Sequence, residues 1–175
     1  RMVAMPEYAD YYPMCEGAKP GGRTIEPENF DGRLLGEEML RLRDPGLQTL
    51  ILGRVSMTAG QARILLCRTP GWILLTIKLM LTYILDIAWR FRSKRDRNLA
   101  MGNALVGMLR RSLMDRGIPL WLNTPAKKII LENGRAVGIE AEKNGKRIRI
   151  QARKGVILAA GDAATRLDVE ADRAQ

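Results

Sequence analysis

A chain of 175 residues with 46% apolar content is about one domain in length and can build a globular core. Histidine is absent, and Cys15 and Cys67 are far apart with no ligand spacing. A zinc site and a Ser-His-Asp or Cys-His catalytic pair are therefore excluded within the chain, and the thiols read as reduced and cytoplasmic. The net charge of +10 invites a nucleic-acid partner, but aromatics make up only 5% and no glycine-aromatic RNA-binding signature appears, so the charge is assigned to solvated faces.

Residues 1–36 are rich in proline and turn residues and predict loops and extended segments. The chain starts at Arg1 without an initiator Met and without an apolar leader in residues 1–12, which reads as an internal fragment. Tyr8, Tyr11 and Tyr12 are all its tyrosines except Tyr83; rings in such a loop ordinarily cover a core edge. Gly-Ala-Lys-Pro-Gly-Gly at 17–22 lacks P-loop spacing and reads as a turn that positions Arg23. Helical periodicity over 33–43 stops at Asp44-Pro45-Gly46, and 47–54 is ambiguous. Ser56 or Thr58 is placed to cap a helix over 59–67, which Pro70 ends.

Trp72 then opens a long apolar helix reaching Trp89. Lys78 and Asp86 inside it count against a membrane span, so plain burial is expected, ahead of a partner-chain or membrane-side contact. Arg90, Arg92, Lys94, Arg95 and Arg97 follow and complement the helix dipole. Beside an apolar helix such residues are also what anchors a protein to anionic lipid, so a peripheral membrane contact through residues 72–97, between Trp72 and Arg97, is the alternative. An amphipathic helix over 101–116 carries Ala104, Leu105, Met108, Leu109, Ser112 and Leu113 on one side, Arg110, Arg111, Asp115 and Arg116 on the other, and Gly117 as its cap.

Residues 118–161 read as two buried strands bracketing an antiparallel meander. The apolar run 118–124 stops at Thr124-Pro125. Strands over 127–132, 135–142 and 146–152 are joined by Asn133-Gly134 and Asn144-Gly145, which supply the positive φ that tight hairpins need. The last strand, 155–161, closes on Ala159-Ala160-Gly161, small enough to let a ligand meet the backbone.

This order resembles the middle of the flavin domain in the fumarate reductase and succinate dehydrogenase flavoprotein class. Tyr8-Ala9-Asp10-Tyr11-Tyr12-Pro13, Lys19-Pro20-Gly21-Gly22-Arg23-Thr24, Phe30-Asp31, Arg95-Asp96-Arg97, Met101-Gly102-Asn103-Ala104-Leu105 and Leu122-Asn123-Thr124-Pro125 narrow the resemblance to FAD-dependent 3-ketosteroid Δ1-dehydrogenases. The resemblance implies an α/β fold: part of a Rossmann-like, two-dinucleotide-binding flavin domain over residues 1–161, with a divergent tail over 162–175. It implies FAD as cofactor and a steroid as substrate. Desaturation between C1 and C2 would send a hydride to flavin N5, with the fragment inactive alone.

In that family tyrosines assist enolisation and deprotonation. Tyr11 is the best match for the one in the flavin domain, with Tyr12 and Tyr8 as fallbacks. A phenol titrates near about 10, so it needs hydrogen bonds or positive charge to act as a base. Cofactor contacts carry over to Gly102, Asn103, Ala126, Ala159, Ala160 and Gly161. Two departures stand out: Gly161 is followed by Asp162-Ala163-Ala164 where a second Gly and Phe-Glu are usual, and the G-x-G-x-x-G unit is absent. Another fumarate-reductase-class flavoprotein acting on an enone or dicarboxylate, or a non-enzymatic basic docking module, are the alternatives. A cytoplasmic location, with or without membrane association, goes with each.

Overall fold

The computed structural model describes residues 1–6, 8–159 and the backbone of 168–171, and the chain divides into two units, Arg1–Ile118 and Pro119–Gln175. In the first unit, strand β1 (Met2–Ala4) pairs antiparallel with β2 (Ile25–Pro27), closing the loop that links them. Strand β3 (Phe30–Asp31) leads into a 3-10 helix, Gly32–Arg41, whose first turn is capped by the Asp31 side chain accepting from Arg33 N. This replaces the regular helix expected over 33–43. Gly36, at φ 57 and ψ −130, breaks it, a conformation open to glycine and strained for other residues. Leu35 and Met39 point inward while Leu34 and Leu40 stay exposed.

The ambiguous segment resolves into a 3-10 turn (Leu47–Thr49) and a short hairpin, β4 (Leu50–Ile51) with β5 (Val55–Ser56). Helix α1 (Ala59–Leu66) starts on a full capping box, Thr58 with Gln61, as its Thr-x-x-Gln spacing allows. The buried Glu26 carboxylate accepts from Ala59 N at 3.0 Å, fixing β2 against the start of that helix.

Helix α2 (Trp72–Leu85) ends earlier than expected. Asp86 leaves helical geometry, and the chain restarts as α3 (Ile87–Arg90). Its expected burial is largely overturned: only Leu79 and Tyr83 are buried, and six aliphatic side chains face solvent. Strand β6 (Asn98–Leu99) pairs with β3 and runs into helix α4 (Met101–Asp115).

One core gathers Leu35, Met39, Trp89, Leu99 and Ala104, with Phe30 and Met108 packed on it; a second joins Val55, Leu79 and Tyr83. The inward side of α4 is set by its small residues. A Cβ on Gly107 would stand 2.8 Å from the Phe30 ring, so the ring and Leu99 press against Ala104 and Gly107. Leu105 and Leu109 are consequently turned outward, and Arg110, expected on the solvated side, is sunk against Glu38 at 2.8 Å.

The second unit is built on the meander: β7 (Ala126–Glu132), β8 (Arg135–Lys143) and β9 (Lys146–Gln151). Both hairpin turns have positive φ at each central residue, 49 and 75 at Asn133 and Gly134, 52 and 73 at Asn144 and Gly145. That is the type I′ geometry whose twist matches the strands. A fourth strand, β10 (Asp168–Ala171), lies parallel to the far edge of β7, giving the order β10-β7-β8-β9.

Among the described residues neither flanking strand forms. Residues 118–125 have no regular structure, with Ile118, Leu120, Trp121 and Leu122 all exposed. Residues 155–159 have none either, and Ile157 is 92% exposed. A strand covered on both faces needs a hydrogen-bonded neighbour and a layer on each side; among the described residues nothing takes that place beside either run. The expected meeting of Thr124-Pro125 with Ala160-Gly161 lies outside the described residues.

Candidate flavin and substrate site

The loop between β1 and β2 is held as a closed structure by its own polar groups. Asp10 accepts from Lys19 N at 3.0 Å and pairs with Arg23 at 3.1 Å, while Arg23 also donates to the Gly17 carbonyl at 2.7 Å. Asp10 N donates back to Lys19 O. The turn that positions Arg23 is therefore present, and its work is to tie this loop. Tyr11 and Tyr12 project from it, Tyr11 at 87% exposure, and Tyr8 is less exposed. A ring so placed covers no core edge within this unit.

Three of the family-like stretches converge on the start of α4. Phe30-Asp31 and Asn98-Leu99 form the β3–β6 pair, and Gly32 N donates to Arg97 O at 2.7 Å. Arg95 spans to the end of the 3-10 helix, donating to the Met39 carbonyl at 3.1 Å and the Arg43 carbonyl at 3.1 Å, and it pairs with Asp44 at 2.8 Å. Asn103 Nδ2 donates to the same Arg43 carbonyl at 2.9 Å.

The five basic residues after α2 were assigned to solvated charge. The structure overturns this for three of them. Arg97 pairs with Asp86 and lies 4.9 Å from the Trp89 ring centre; Arg90 sits 3.9 Å from that of Tyr83. Tyr83 and Trp89 donate to the carbonyls of Lys94 and Arg95. The Arg97 hydrogen bond holds the Asp86 carboxyl below its ordinary value, and Arg33 does the same for Asp31. Asp96 goes the other way, pushed up by burial although its two oxygens accept from Ser56 N and Asn98 N, each at 2.9 Å. Composition alone did not reveal this arrangement. The signal was the alternation Arg95-Asp96-Arg97, in which a carboxylate between two arginines argues for pairing rather than for a free basic patch. A polar cleft of about 690 Å³ opens beside it, lined in part by Asp31, Arg33, Lys78, Asp86 and Arg97. Two of its acid–base pairs are closed, Asp31 with Arg33 and Asp86 with Arg97.

Gly102 and Asn103 stand in the first turn of α4. The helix begins after Ala100 with no side-chain cap, on Met101 at φ 52, and its first intrahelical bond is donated by Ala104. The N–H groups of Met101, Gly102 and Asn103 precede that bond, where backbone donors favour an anion. A Cβ added at Gly102 would meet nothing within 4 Å. This turn fits a phosphate-bearing, ring-bearing cofactor: donors without protein acceptors among the described residues, beside a glycine with open space around it.

In the second unit Ala126 opens β7 opposite Ala141, with a register shift before Lys128. The Pro125 carbonyl accepts from Glu142 N at 3.0 Å. The other edge of β7 is covered by β10 only from Lys128 onward, so among the described residues the Ala126 backbone keeps an open edge. Ala159 is exposed outside any strand, and Ala160 and Gly161 lie outside the described residues.

The FAD binding domain family matches residues 7–174 of the chain, and the chain belongs to that family, whose cofactor is FAD. Its relatives include a 3-oxosteroid 1-dehydrogenase of Comamonas testosteroni, 40% identical over 90% of this chain and 28% of its own length. Another, from Mycobacterium tuberculosis (strain ATCC 25618 / H37Rv), is 37% identical over 92% of this chain and 29% of its own. The crystal structure of 3-ketosteroid delta1-dehydrogenase from Sterolibacterium denitrificans in complex with 1,4-androstadiene-3,17-dione is similar with a TM-score of 0.82. It is 44% identical, over 89% of this chain and 28% of that one. The chain thus spans little more than a quarter of the length of these relatives.

Proposed function

We propose that the chain is part of an FAD-dependent 3-ketosteroid Δ1-dehydrogenase, with residues 1–161 forming the middle of its flavin domain and 162–175 a tail of its own character. The observation that carries this is the 37–44% identity to steroid dehydrogenases over about nine-tenths of the chain, together with the convergence of Phe30-Asp31, Arg95-Asp96-Arg97 and Gly102-Asn103 on one helix start.

FAD, when bound, supplies the acceptor for the hydride that leaves C1 of the steroid. The chain's own share is to hold the cofactor and to handle a proton. Gly102 and Asn103 offer backbone N–H groups at the start of α4, and Ala126 an open strand edge. Ala159, Ala160 and Gly161 complete the set as small residues that leave the backbone accessible. Tyr11 assists loss of the C2 proton, with Tyr12 and Tyr8 next in order. Its loop, braced through Asp10, Lys19 and Arg23, fixes where the phenol stands.

The test is made in the complete protein from which this sequence comes. Formation of the 1,2-unsaturated steroid is measured for the wild type and for Tyr11→Phe. Turnover should fall by about two orders of magnitude, the usual worth of a positioned proton-transfer group, while bound flavin stays constant. Unchanged turnover removes Tyr11 from the mechanism, and a wild type without steroid desaturation ends the reading.

A further inference from the structure

We infer that Arg95 is a positioning residue for the flavin site: it fixes the Arg43 carbonyl on which the Asn103 side chain rests, and through it the first turn of α4. This deepens the flavin reading of that turn and rests on it. The Arg95 side chain is only 17% exposed, and it reaches back to the end of the 3-10 helix. Its Nη1 donates to the carbonyls of Met39 at 3.1 Å and Leu40 at 3.4 Å, its Nη2 donates to that of Arg43 at 3.1 Å, and its Nε meets the Asp44 carboxylate at 2.8 Å. A planar guanidinium carries five donors in fixed directions and can serve all four acceptors at once. An ammonium on a flexible stem has three donors and no fixed plane.

The acceptors are groups the chain does not satisfy locally. The 3-10 helix stops at Leu42, at φ −67 and ψ 144, so its last carbonyls lack the following turn that would donate to them. Met39 O accepts a long 3.4 Å bond from Leu42 N and the shorter one from Arg95. Arg95 is itself held from behind. Its carbonyl accepts from Trp89 Nε1 at 2.8 Å and from Arg90 Nη2 at 2.6 Å, and its N–H donates to Ser93 Oγ at 3.1 Å. Trp89 is buried in the core with Leu35, Met39, Leu99 and Ala104, so the guanidinium extends from a fixed backbone.

The Arg43 carbonyl accepts from both Arg95 Nη2 and Asn103 Nδ2, the second at 2.9 Å. No side chain caps α4 at Ala100, and the Asn103 tether to Arg43 ties the first turn down instead. One amide hydrogen of Asn103 is committed to this tether, so the residue's share in the cofactor site is its backbone N–H. Residues 43–46 have no regular structure. Without Arg95 the Arg43 carbonyl would sit on an unfixed segment, and Asn103 would be tied to an acceptor that does not hold still. Donors fixed in advance bind a ligand better than donors that must be ordered on binding, so Arg95 acts on FAD through Asn103 rather than by touching it.

Release of FAD from the complete flavin-loaded protein tests this, read as the rise of flavin fluorescence on dilution, for Arg95→Gln, Asn103→Ala and the double variant. Each single variant should raise the FAD dissociation constant about tenfold. In the Asn103→Ala background Arg95→Gln should add less than about twofold, because both act through one carbonyl. A purely structural arginine would lower the melting temperature as well, so the mark of positioning is this failure of the two losses to multiply. Arg95→Lys keeps the charge beside Asp44 without the planar fork, should still weaken FAD binding, and replaces Arg95→Gln in the cycle if that variant does not fold. Arginine variants that hold FAD as the wild type does, beside an Asn103→Ala variant that does not, overturn the inference and leave the flavin site standing. Losses that multiply in the double variant overturn it too, since Arg95 then acts elsewhere. If Gly102→Val and Asn103→Ala both leave FAD affinity unchanged, the flavin reading of this turn fails and the role of Arg95 falls with it.

Discussion

Asp96 shows how a single carboxylate can brace a fold while working against it electrically. Each of its oxygens accepts one backbone N–H, from Ser56 and from Asn98. An asparagine would turn an NH2 toward one of those donors, leaving a part-buried pair of N–H groups facing each other at a cost of about 1–3 kcal/mol. The pH dependence has a definite sign. Burial raises the folded value above 3.8, so the contribution of Asp96 to stability is complete below 3.8 and is lost as pH rises through the folded value. Asp31 and Asp86, lowered by hydrogen bonds from Arg33 and Arg97, contribute above 3.8 and lose that contribution as pH falls through their folded values. Thermal melts of wild type and Asp96→Asn should therefore diverge on acidification from neutrality to about 4, the wild type gaining relative to the variant. A constant gap would contradict this.

Gly102 permits a test of the cofactor site at one residue. Nothing lies within 4 Å of a Cβ added there, and valine is no worse a helix former than the glycine it replaces. Gly102→Val should leave the flavin-free melting temperature of the complete protein nearly unchanged and weaken FAD binding about tenfold, one lost or crowded contact of about 1.4 kcal/mol. Titration with FAD reads the effect, and equal affinities would exclude Gly102 from the site.

At the scale of elements, what could be read from the sequence was local. Asn133-Gly134 and Asn144-Gly145 announce their turns because Asn and Gly adopt positive φ most readily, and Thr58 with Gln61 announces its cap because the two side chains reach each other's backbone N–H. The runs 118–124 and 155–159 form no strand because apolar composition describes an environment rather than a conformation. Without neighbours among the described residues they have no ladder to join. The outward face of α2 and the inward turn of Arg110 were equally hidden, since the first depends on Leu79 and Tyr83 packing on Val55 and the second on Ala104 and Gly107 facing Phe30. The candidate site was legible as motifs, but not that Arg95 and Asn103 share the Arg43 carbonyl.

The meander itself has a weak point that follows from packing. A Cβ on Gly138 would stand 2.5 Å from the Ile150 carbonyl oxygen, and backbone cannot yield as a flexible side chain does. Gly138→Ala should force β8 and β9 apart and cost about 1–3 kcal/mol, seen as a melting temperature lower by several degrees. An unchanged melting temperature would contradict the close pairing.

For the molecule as a whole, the net charge of +10 is better read as two populations than as one field. Part of it is consumed internally, where Arg90, Arg95 and Arg97 cross-link helix ends. The remainder faces solvent along residues 45–85, which hold no Asp or Glu, and on β9, where Lys146, Arg147 and Arg149 are exposed.

The most direct measurement is a crystal structure of the complete protein with FAD bound. The distances that matter run from the nearest FAD atoms to the Gly102 backbone nitrogen and to the Ala126 backbone. Both should fall within about 4 Å, the range of hydrogen bonds and packed contacts. FAD lying more than about 8 Å from both, with other residues filling the first turn of α4, would contradict the assignment of these residues to the flavin.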